Sequence, residues 1–305
     1  FPTVFFEPVE EFLKLYSPFF KYTDLTSAYK FCEKIAKKHY ENFPVASWLL
    51  PKQERRFLHS IYSFSRLADD IADSPHLSMS QTERLHALQI IESNLIHLKD
   101  TRNVNNPIFY ALKDTIEKKE LPLEPFLRLL TAFKMDVNFV QPLDWNDLEK
   151  YCSFSANPIG ELVLRIFGES NERTIKFSDL ICTGLQLVNF WQDLSIDLKA
   201  GRCYIPKKYF EDYKIETLNL LNYNIKEKIN IFLMEILGKT TEYFLEGWKL
   251  IWHLENRRLR YEINAIIIGG IRMLRKEFKL KHNLLRKRPK LNLFDYIYIF
   301  LNALI

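Results

Sequence analysis

The stretch FSRLADDIAD, from Phe64 to Asp73, carries two stripes of side chains at helical spacing. One stripe is apolar and recurs every three or four positions, as the buried face of an α-helix does. The other is polar and runs along an adjacent face of the same helix. The apolar stripe is Ile61, Phe64, Ala68 and Ile71, and the polar stripe is Tyr62, Arg66, Asp69 and Asp73. This stretch alone leaves two interpretations open, a cleft bordered by carboxylates and a solvated acidic patch.

Features of the whole chain predict a single all-α domain, residues 1–305. The 305 residues are 47% hydrophobic, which is enough apolar material for a sizeable core. Neither a repeat of fixed period nor a low-complexity linker divides them. Segments between the prolines and glycines have a helical period, and strand-like alternation is scarce. We expect helices near 27–41, 51–73, 80–99, 107–119, 125–139, 146–167, 176–198, 226–257 and 260–282.

A second acidic stripe lies in the predicted helix 176–198, which includes the sequence NFWQDLSID. Its members are spaced three, four and four residues apart and so share one helix face. They are Gln186, Asn189, Asp193 and Asp197. Leu185, Val188, Trp191 and Leu194 supply apolar neighbours for packing, and Gly201 is expected to end the helix. If the two acidic helices face each other in a bundle, four carboxylates converge and require cations.

Oxygen ligands without histidine or cysteine favour a hard cation. Mg²⁺ in particular is held by a few carboxylates together with substrate phosphate oxygens. We therefore predict Mg²⁺ bound by Asp69, Asp73, Asp193 and Asp197, and a diphosphate substrate. Arg66, Arg202 and Tyr204 are suited to phosphate oxygens. The chain has no glycine-rich phosphate loop, so the sequence does not support ATP or nicotinamide binding.

Several of these residues have a structural interpretation as well. Arg66 and Arg202 could form ion pairs with the acids and only shape the site. Asn189 could bridge polar groups inside the core. Asp70 lies off the stripe and is expected behind the ligands or at the surface.

The ends of the chain bear on its location. FPTVFFEPVEEF at the N-terminus lacks the features of a signal peptide, and the four separated cysteines fit reduced thiols, so we expect a cytoplasmic protein. Residues 272–305 combine a basic segment with the apolar stretch LNLFDYIYIFLNALI. This segment either makes a peripheral contact with the inner membrane face or packs on the core with its basic part in solvent. Nucleic acid is not an expected partner, because no binding motif accompanies the charge.

Both acidic motifs resemble those of squalene and phytoene synthases. The resemblance rests on FSRLADDIAD and NFWQDLSIDLKAGRCYIP, and it extends through HYENFPVASWLLP, LHSIYSFSRLADDIAD and YCSFSANPIGELVLRIFG. It covers most of residues 36–206 and is greatest to the bacterial hydroxysqualene synthases of hopanoid biosynthesis. The implied fold is the isoprenoid synthase helical bundle with a central substrate cavity. The implied reaction is ionisation of presqualene diphosphate, rearrangement of the cation and capture by water.

The resemblance also implies roles for individual residues. The four aspartates would hold Mg²⁺ with the assistance of Asn189, and Arg66, Arg202 and Tyr204 would bind the diphosphate. Around the reacting end of the substrate and along its cavity it places Tyr62, His39, Phe43, Tyr151, Gly160 and Gln186. Gly160 would leave room for an isoprenoid chain. His39 and Phe43 have core packing as an equal alternative.

The chain departs from the family pattern at two places. Many relatives that join two farnesyl diphosphates have arginine immediately before the first aspartate of the second motif, where this chain has Gln192. We therefore expect the enzyme to start from presqualene diphosphate. The tyrosine that some relatives use late in the rearrangement has no assigned counterpart in 258–275, where NAIIIGGI lies.

Two other functions stay open at this point. One is the head-to-head condensation of two farnesyl diphosphates to presqualene diphosphate or dehydrosqualene. The other is a non-catalytic assembly factor with the same fold, against which the intact acid pairs argue.

Overall fold

The computed structural model describes residues 24–38, 49–73, 79–101, 106–216, 220 and 225–304. These residues form twelve α-helices and no β-strand, so the all-α prediction is confirmed. Short 3₁₀ helices, Trp248–Trp252 and Lys281–Leu285, follow α10 and α11. The α-helices are α1 (Leu25–Lys38), α2 (Lys52–Asp73), α3 (Gln81–Ile96), α4 (Pro107–Lys118), α5 (Glu124–Val137), α6 (Trp145–Ser155), α7 (Asn157–Ile166), α8 (Glu172–Asp197), α9 (Lys207–Asp212), α10 (Lys226–Gly247), α11 (Arg257–Leu280) and α12 (Leu293–Ala303).

The helix pattern expected from the sequence differs from the structure at four places. The predicted helix 226–257 is shorter, because α10 ends at Gly247 and a 3₁₀ helix, Trp248–Trp252, follows it. The segment 146–167 is two helices, because α6 ends at Ser155 and Pro158 cannot donate the amide hydrogen that a continuous helix would need. The six-residue α9 is too short to show a period. In α12 apolar residues lie on every face, so no amphipathic pattern marked it as a helix.

The chain divides into two compact units. Unit 1 comprises the described residues of Phe1–Asn138 together with Leu162–Gly168, and unit 2 comprises those of Phe139–Glu161 and Glu169–Ile305. The single domain expected over residues 1–305 stays a prediction.

The core of unit 1 is built around α2. Phe64 of α2 is fully buried and meets Phe109 of α4 and Phe126 of α5 edge-on, with ring centroids 6.0 and 5.6 Å apart. Such edge-to-face pairs are favourable beyond the area that they bury. On α1, the hydroxyl of Tyr29 lies 3.0 Å from that of Thr115, which lies 2.7 Å from the hydroxyl of Ser60. This buried chain of hydroxyls fixes α1, α2 and α4 in register.

The core of unit 2 is built around α8. Trp191 is fully buried, and its indole Nε1 donates to the hydroxyl of Thr240 on α10 at 2.8 Å. Phe244, also on α10, lies between two glycines. A Cβ added at Gly184 of α8 would come within 3.2 Å of this ring, and one added at Gly270 of α11 within 2.7 Å. Both glycines therefore allow helices α8, α10 and α11 to approach closely around one aromatic ring.

Helix α12 is fastened to α11 by a buried carboxylate. Asp295, 2% exposed, lies 2.7 Å from both the guanidinium of Arg272 and the ammonium of Lys276. Burial acts to raise the pKa of Asp295, but these cations outweigh it and hold the pKa at about 2. One side of the C-terminal segment thus packs on the core. None of the described helices is both long and apolar enough to cross a membrane.

Helix α11 also carries a buried carboxyl group, that of Glu277. Its exposure is 0%, and neither of its oxygens finds a hydrogen-bond partner among the described residues. Burial raises the pKa of Glu277 well above its ordinary value of 4.5, and the nearby charge of Asp193 raises it further. The folded protein therefore favours the neutral form of this group.

We predict that Glu277→Gln stabilises the metal-free protein by about 1–3 kcal/mol at neutral pH. Below pH 4.5 the glutamate is protonated in both the folded and the unfolded chain, and the two proteins should be equally stable. Above that pH only the unfolded chain ionises readily, so the wild type should lose stability relative to the variant. Urea unfolding between about pH 4 and pH 8 measures the difference. A difference that stays constant with pH would contradict the prediction.

Candidate functional site

The first acidic cluster lies on α2 in unit 1 and consists of Arg66, Asp69, Asp70 and Asp73. The apolar stripe predicted on this helix is buried, as expected: Ile61, Phe64, Ala68 and Ile71 are each at most 3% exposed. Asp69 and Asp70 are half-buried, and Asp73 is exposed. Tyr62 is half-buried one turn before Arg66. Burial of the apolar stripe therefore keeps the carboxylates along the flank of the helix, in partial contact with solvent.

Arg66 bridges two carboxylates of this cluster. Its Nη1 lies 3.2 Å from Oδ2 of Asp69 and its Nη2 lies 2.5 Å from Oδ1 of Asp70. The ion pairing that the sequence left open for Arg66 is thus present, and a role on diphosphate stays a prediction. Asp70, which lies off the polar stripe, contacts Arg66 and is not one of the predicted metal ligands. Burial and the charge of Asp73 raise the pKa of Asp70 to about 7.

The second acidic cluster lies on α8 in unit 2. Gln186, Asp193 and Asp197 are half-buried, whereas Asn189 is exposed. The exposure of Asn189 rules out the alternative that it bridges groups inside the core. Gly201 has φ +77°, a conformation that favours glycine, and the chain turns there so that the amide of Arg202 donates to the carbonyl of Asp197 at 2.8 Å. The predicted end of the helix is confirmed, and the backbone of Arg202 is held against the last turn.

Arg288 belongs to the second cluster and was missed by the sequence analysis. Its guanidinium donates to both carboxylate oxygens of Asp193, from Nε to Oδ1 and from Nη2 to Oδ2, the latter at 3.2 Å. This bidentate arrangement is the strong form of an arginine–carboxylate pair. The basic run that contains Arg288 indicated only solvent or lipid contact, because no helical spacing relates residues 288 and 193.

Gln192 explains why Arg288 reaches α8. The Gln192 side chain is buried, and its Nε2 donates to the carbonyl of Pro289 at 3.0 Å. This hydrogen bond fixes the segment that follows α11 against the second acidic motif. Position 192 is a glutamine and not an arginine, but the guanidinium of Arg288 pairs with the neighbouring Asp193.

Tyr204 and Tyr151 pack together in an aromatic cluster of unit 2. The ring of Tyr204 stacks on Phe190 of α8, with centroids 3.8 Å apart and planes 12° apart, and it is 8% exposed. Tyr151 of α6 lies 5.7 Å from Phe190 and 6.2 Å from Tyr204. Two residues predicted to contact substrate are thus neighbours beside α8, and their functional roles stay predictions.

The reason given for Gly160 requires correction. A Cβ at this position would lie 2.3 Å from the hydroxyl oxygen of Ser178 and 2.6 Å from the sulfur of Cys182, both on α8. The space beside Gly160 is filled by helix α8 and is not open to an isoprenoid chain on that side. The glycine serves close packing of α7 on α8. His39 and Phe43 lie outside the described residues.

Each cluster offers oxygen donors for a hard cation. Among the described residues no three His, Cys, Asp or Glu side chains are gathered into a metal-binding group. The donor chemistry nevertheless fits Mg²⁺, because carboxylates that keep part of their solvent contact can bind this ion together with water and phosphate oxygens. Arg66 and Arg288 at present neutralise carboxylates that a cation would bind.

Comparison with known proteins identifies the family. The squalene/phytoene synthase family model matches residues 36–295. A hydroxysqualene synthase from Sinorhizobium fredii is 33% identical over 231 residues, which cover 74% of this chain and 76% of the relative.

Solved structures agree with this assignment. A squalene synthase from Alicyclobacillus acidocaldarius is 31% identical, covers 85% of this chain and 95% of its own, and superposes with a TM-score of 0.78. A dehydrosqualene synthase in complex with a ligand is 21% identical and superposes with a TM-score of 0.81, covering 92% of this chain and 96% of its own. At this identity the similarity supports the fold alone. The chain belongs to the squalene/phytoene synthase family, a family of isoprenoid synthase enzymes.

Proposed function

We propose that this protein is a Mg²⁺-dependent hydroxysqualene synthase that converts presqualene diphosphate and water to hydroxysqualene and diphosphate. The observation that carries the proposal is the pair of acidic clusters, each with its own arginine, in a chain similar to hydroxysqualene synthases. Ionisation of a diphosphate ester needs positive charge at the leaving group, which a metal ion held by carboxylates and the arginines can supply.

The bond changes in the proposed reaction balance without a further reactant. The C–O bond to the diphosphate breaks, and its electron pair stays on the leaving oxygen. The cyclopropylcarbinyl cation rearranges, and water adds its oxygen to the final cation and gives up one proton. Product identity thus depends on water reaching the cation before a proton is lost from carbon.

The protein's own residues would bind and neutralise the leaving group. Asp69, Asp73, Asp193 and Asp197 would hold Mg²⁺, with Asn189 beside them. Bound Mg²⁺ would neutralise the charge that develops on the diphosphate. Because Arg66 and Arg288 already pair with these acids, each can exchange a carboxylate for a phosphate oxygen when substrate enters.

The proposal is tested by incubating purified protein and Mg²⁺ with presqualene diphosphate in ¹⁸O-water. Hydroxysqualene that carries the label is expected, since water supplies its oxygen. Turnover of farnesyl diphosphate to presqualene diphosphate or dehydrosqualene would replace the proposal with the condensing reaction. Absence of turnover of either substrate would favour the non-catalytic assembly factor.

Substitution of one acid in each cluster tests their role. Asp69→Asn and Asp193→Asn should each lower kcat/KM by about 10²-fold or more, because an amide neither binds a hard cation well nor neutralises it. Asp212→Asn, an exposed acid at the end of α9, is the matched control and should leave kcat/KM unchanged. Activity of both site variants equal to that of the control would contradict the assignment. These ion pairs keep part of their solvent contact and contribute little stability, so folding should persist in both variants.

Arg288 has a prediction of its own. Arg288→Gln should raise the KM for presqualene diphosphate about tenfold, since a charge-assisted hydrogen bond to phosphate is lost. Arg288→Lys should recover part of the loss because it keeps the charge without the bidentate geometry. Lys287→Gln, which removes an exposed neighbouring cation, is the control. Steady-state kinetics in which Arg288→Gln and Lys287→Gln behave alike would refute a role for Arg288.

A further inference from the structure

Helix α12 turns an apolar face away from the protein. Asp295, Ile299 and Ala303 are buried on its inner side. We call the outward residues, spaced three, one and three apart, the apolar face: Phe294, Ile297, Tyr298 and Leu301. Phe294 is 79% and Leu301 60% exposed. Single exposed apolar residues are common, but a continuous helical stripe of them marks a surface that another apolar body covers.

A groove opens beside this face within unit 2. It has a volume of about 580 Å³ and is lined by α10, the 3₁₀ helix Trp248–Trp252, α11 and α12. Its walls include Leu245, Trp252, Ile271 and Tyr298. Trp252 is 78% exposed at the groove. The volume lies within the range of sites that take a small apolar ligand.

Along one wall of the groove, the segment between Arg272 and Asn292 carries cations without exposed acids. Between Arg272 and Asn292 the one acid is Glu277, which is fully buried. Apart from Arg288, which pairs with Asp193, the exposed basic residues of this segment are Arg275, Lys279, Lys281, Arg286, Lys287 and Lys290. Arg275 lines the groove itself, and Lys290 lies just before the start of α12. Apolar and positively charged surfaces are therefore contiguous.

We propose that the apolar face of α12 and the adjoining groove dock this protein on an anionic lipid bilayer. Aromatic and aliphatic side chains enter the acyl boundary, the groove receives an acyl chain, and the cations pair with lipid phosphates. With 11 residues, α12 is about 16 Å long, roughly half of the hydrocarbon thickness, so it lies in the interface plane.

A second copy of the chain fits this surface less well. A two-fold contact centred on the apolar face would bring two sets of like charges together, with no exposed acid from this segment to neutralise them. An anionic bilayer satisfies the charge and the apolar surface at once.

Flotation of the full chain with vesicles tests the proposal. Binding to phosphatidylcholine vesicles that contain phosphatidylglycerol should exceed binding to phosphatidylcholine alone by about tenfold and weaken as salt increases. Phe294→Ser with Leu301→Ser should reduce binding about tenfold. The matched control is Ile231→Ser, at an equally exposed apolar position of α10, and it should bind like the wild type.

Two further variants probe the charge and the groove. Arg275→Gln with Lys279→Gln should reduce binding to the anionic vesicles only. Lipids brominated on their acyl chains should quench the tryptophan fluorescence of the wild type. This quenching should be smaller in Trp252→Phe, which lacks the tryptophan at the groove. Equal binding to both vesicle types, absence of binding, or a loss shared by Ile231→Ser would overturn the proposal. A lipid-free dimer that dissociates on the Phe294 and Leu301 substitutions, seen by sedimentation, would assign the face to self-association instead.

Discussion

The burial of one face of α2 and one face of α8 is the constraint on which the functional surface depends. Phe64 in unit 1 and Trp191 in unit 2 are anchored by aromatic partners and by a buried hydrogen bond. Neither helix can rotate about its axis without exposing these rings, at a cost of about 1.5–3 kcal/mol for each large side chain. The carboxylates one face away are therefore held at the boundary between core and solvent.

Charge is managed differently on the two helices. On α2 the neutralising guanidinium of Arg66 comes from the same helix, one turn away from the acids that it contacts. On α8 it comes from Arg288, ninety-five positions along the chain from Asp193. The first arrangement is fixed by local geometry, whereas the second depends on the docking of the segment after α11. A disturbance of that segment would change the electrostatics of one cluster and leave the other intact.

Sequence reasoning succeeded where local periodicity decides the structure. The buried and polar stripes of α2 and α8 follow from a repeat of 3.6 residues, and Gly201 ends α8 as its conformational freedom predicts. Contacts across long separations escaped it. The pairing of Arg288 with Asp193, and the packing of Gly160 against Ser178, join elements whose proximity no spacing reveals. Helix α12 was not predicted at all, because its exposed face is apolar and shows no amphipathic period.

The ring of Phe244 between Gly184 and Gly270 limits how this protein can change. The ring reaches the volume beside Gly270 of α11 from the facing helix α10. A side chain at 270 and the ring at 244 compete for one space. Residue 270 therefore cannot be enlarged alone without overpacking the core, and residue 244 cannot be reduced alone without leaving a cavity. The smallest viable exchange is a pair of substitutions, one that enlarges residue 270 and one that reduces residue 244. Divergence of helix α11 in this family member is thereby coupled to α10.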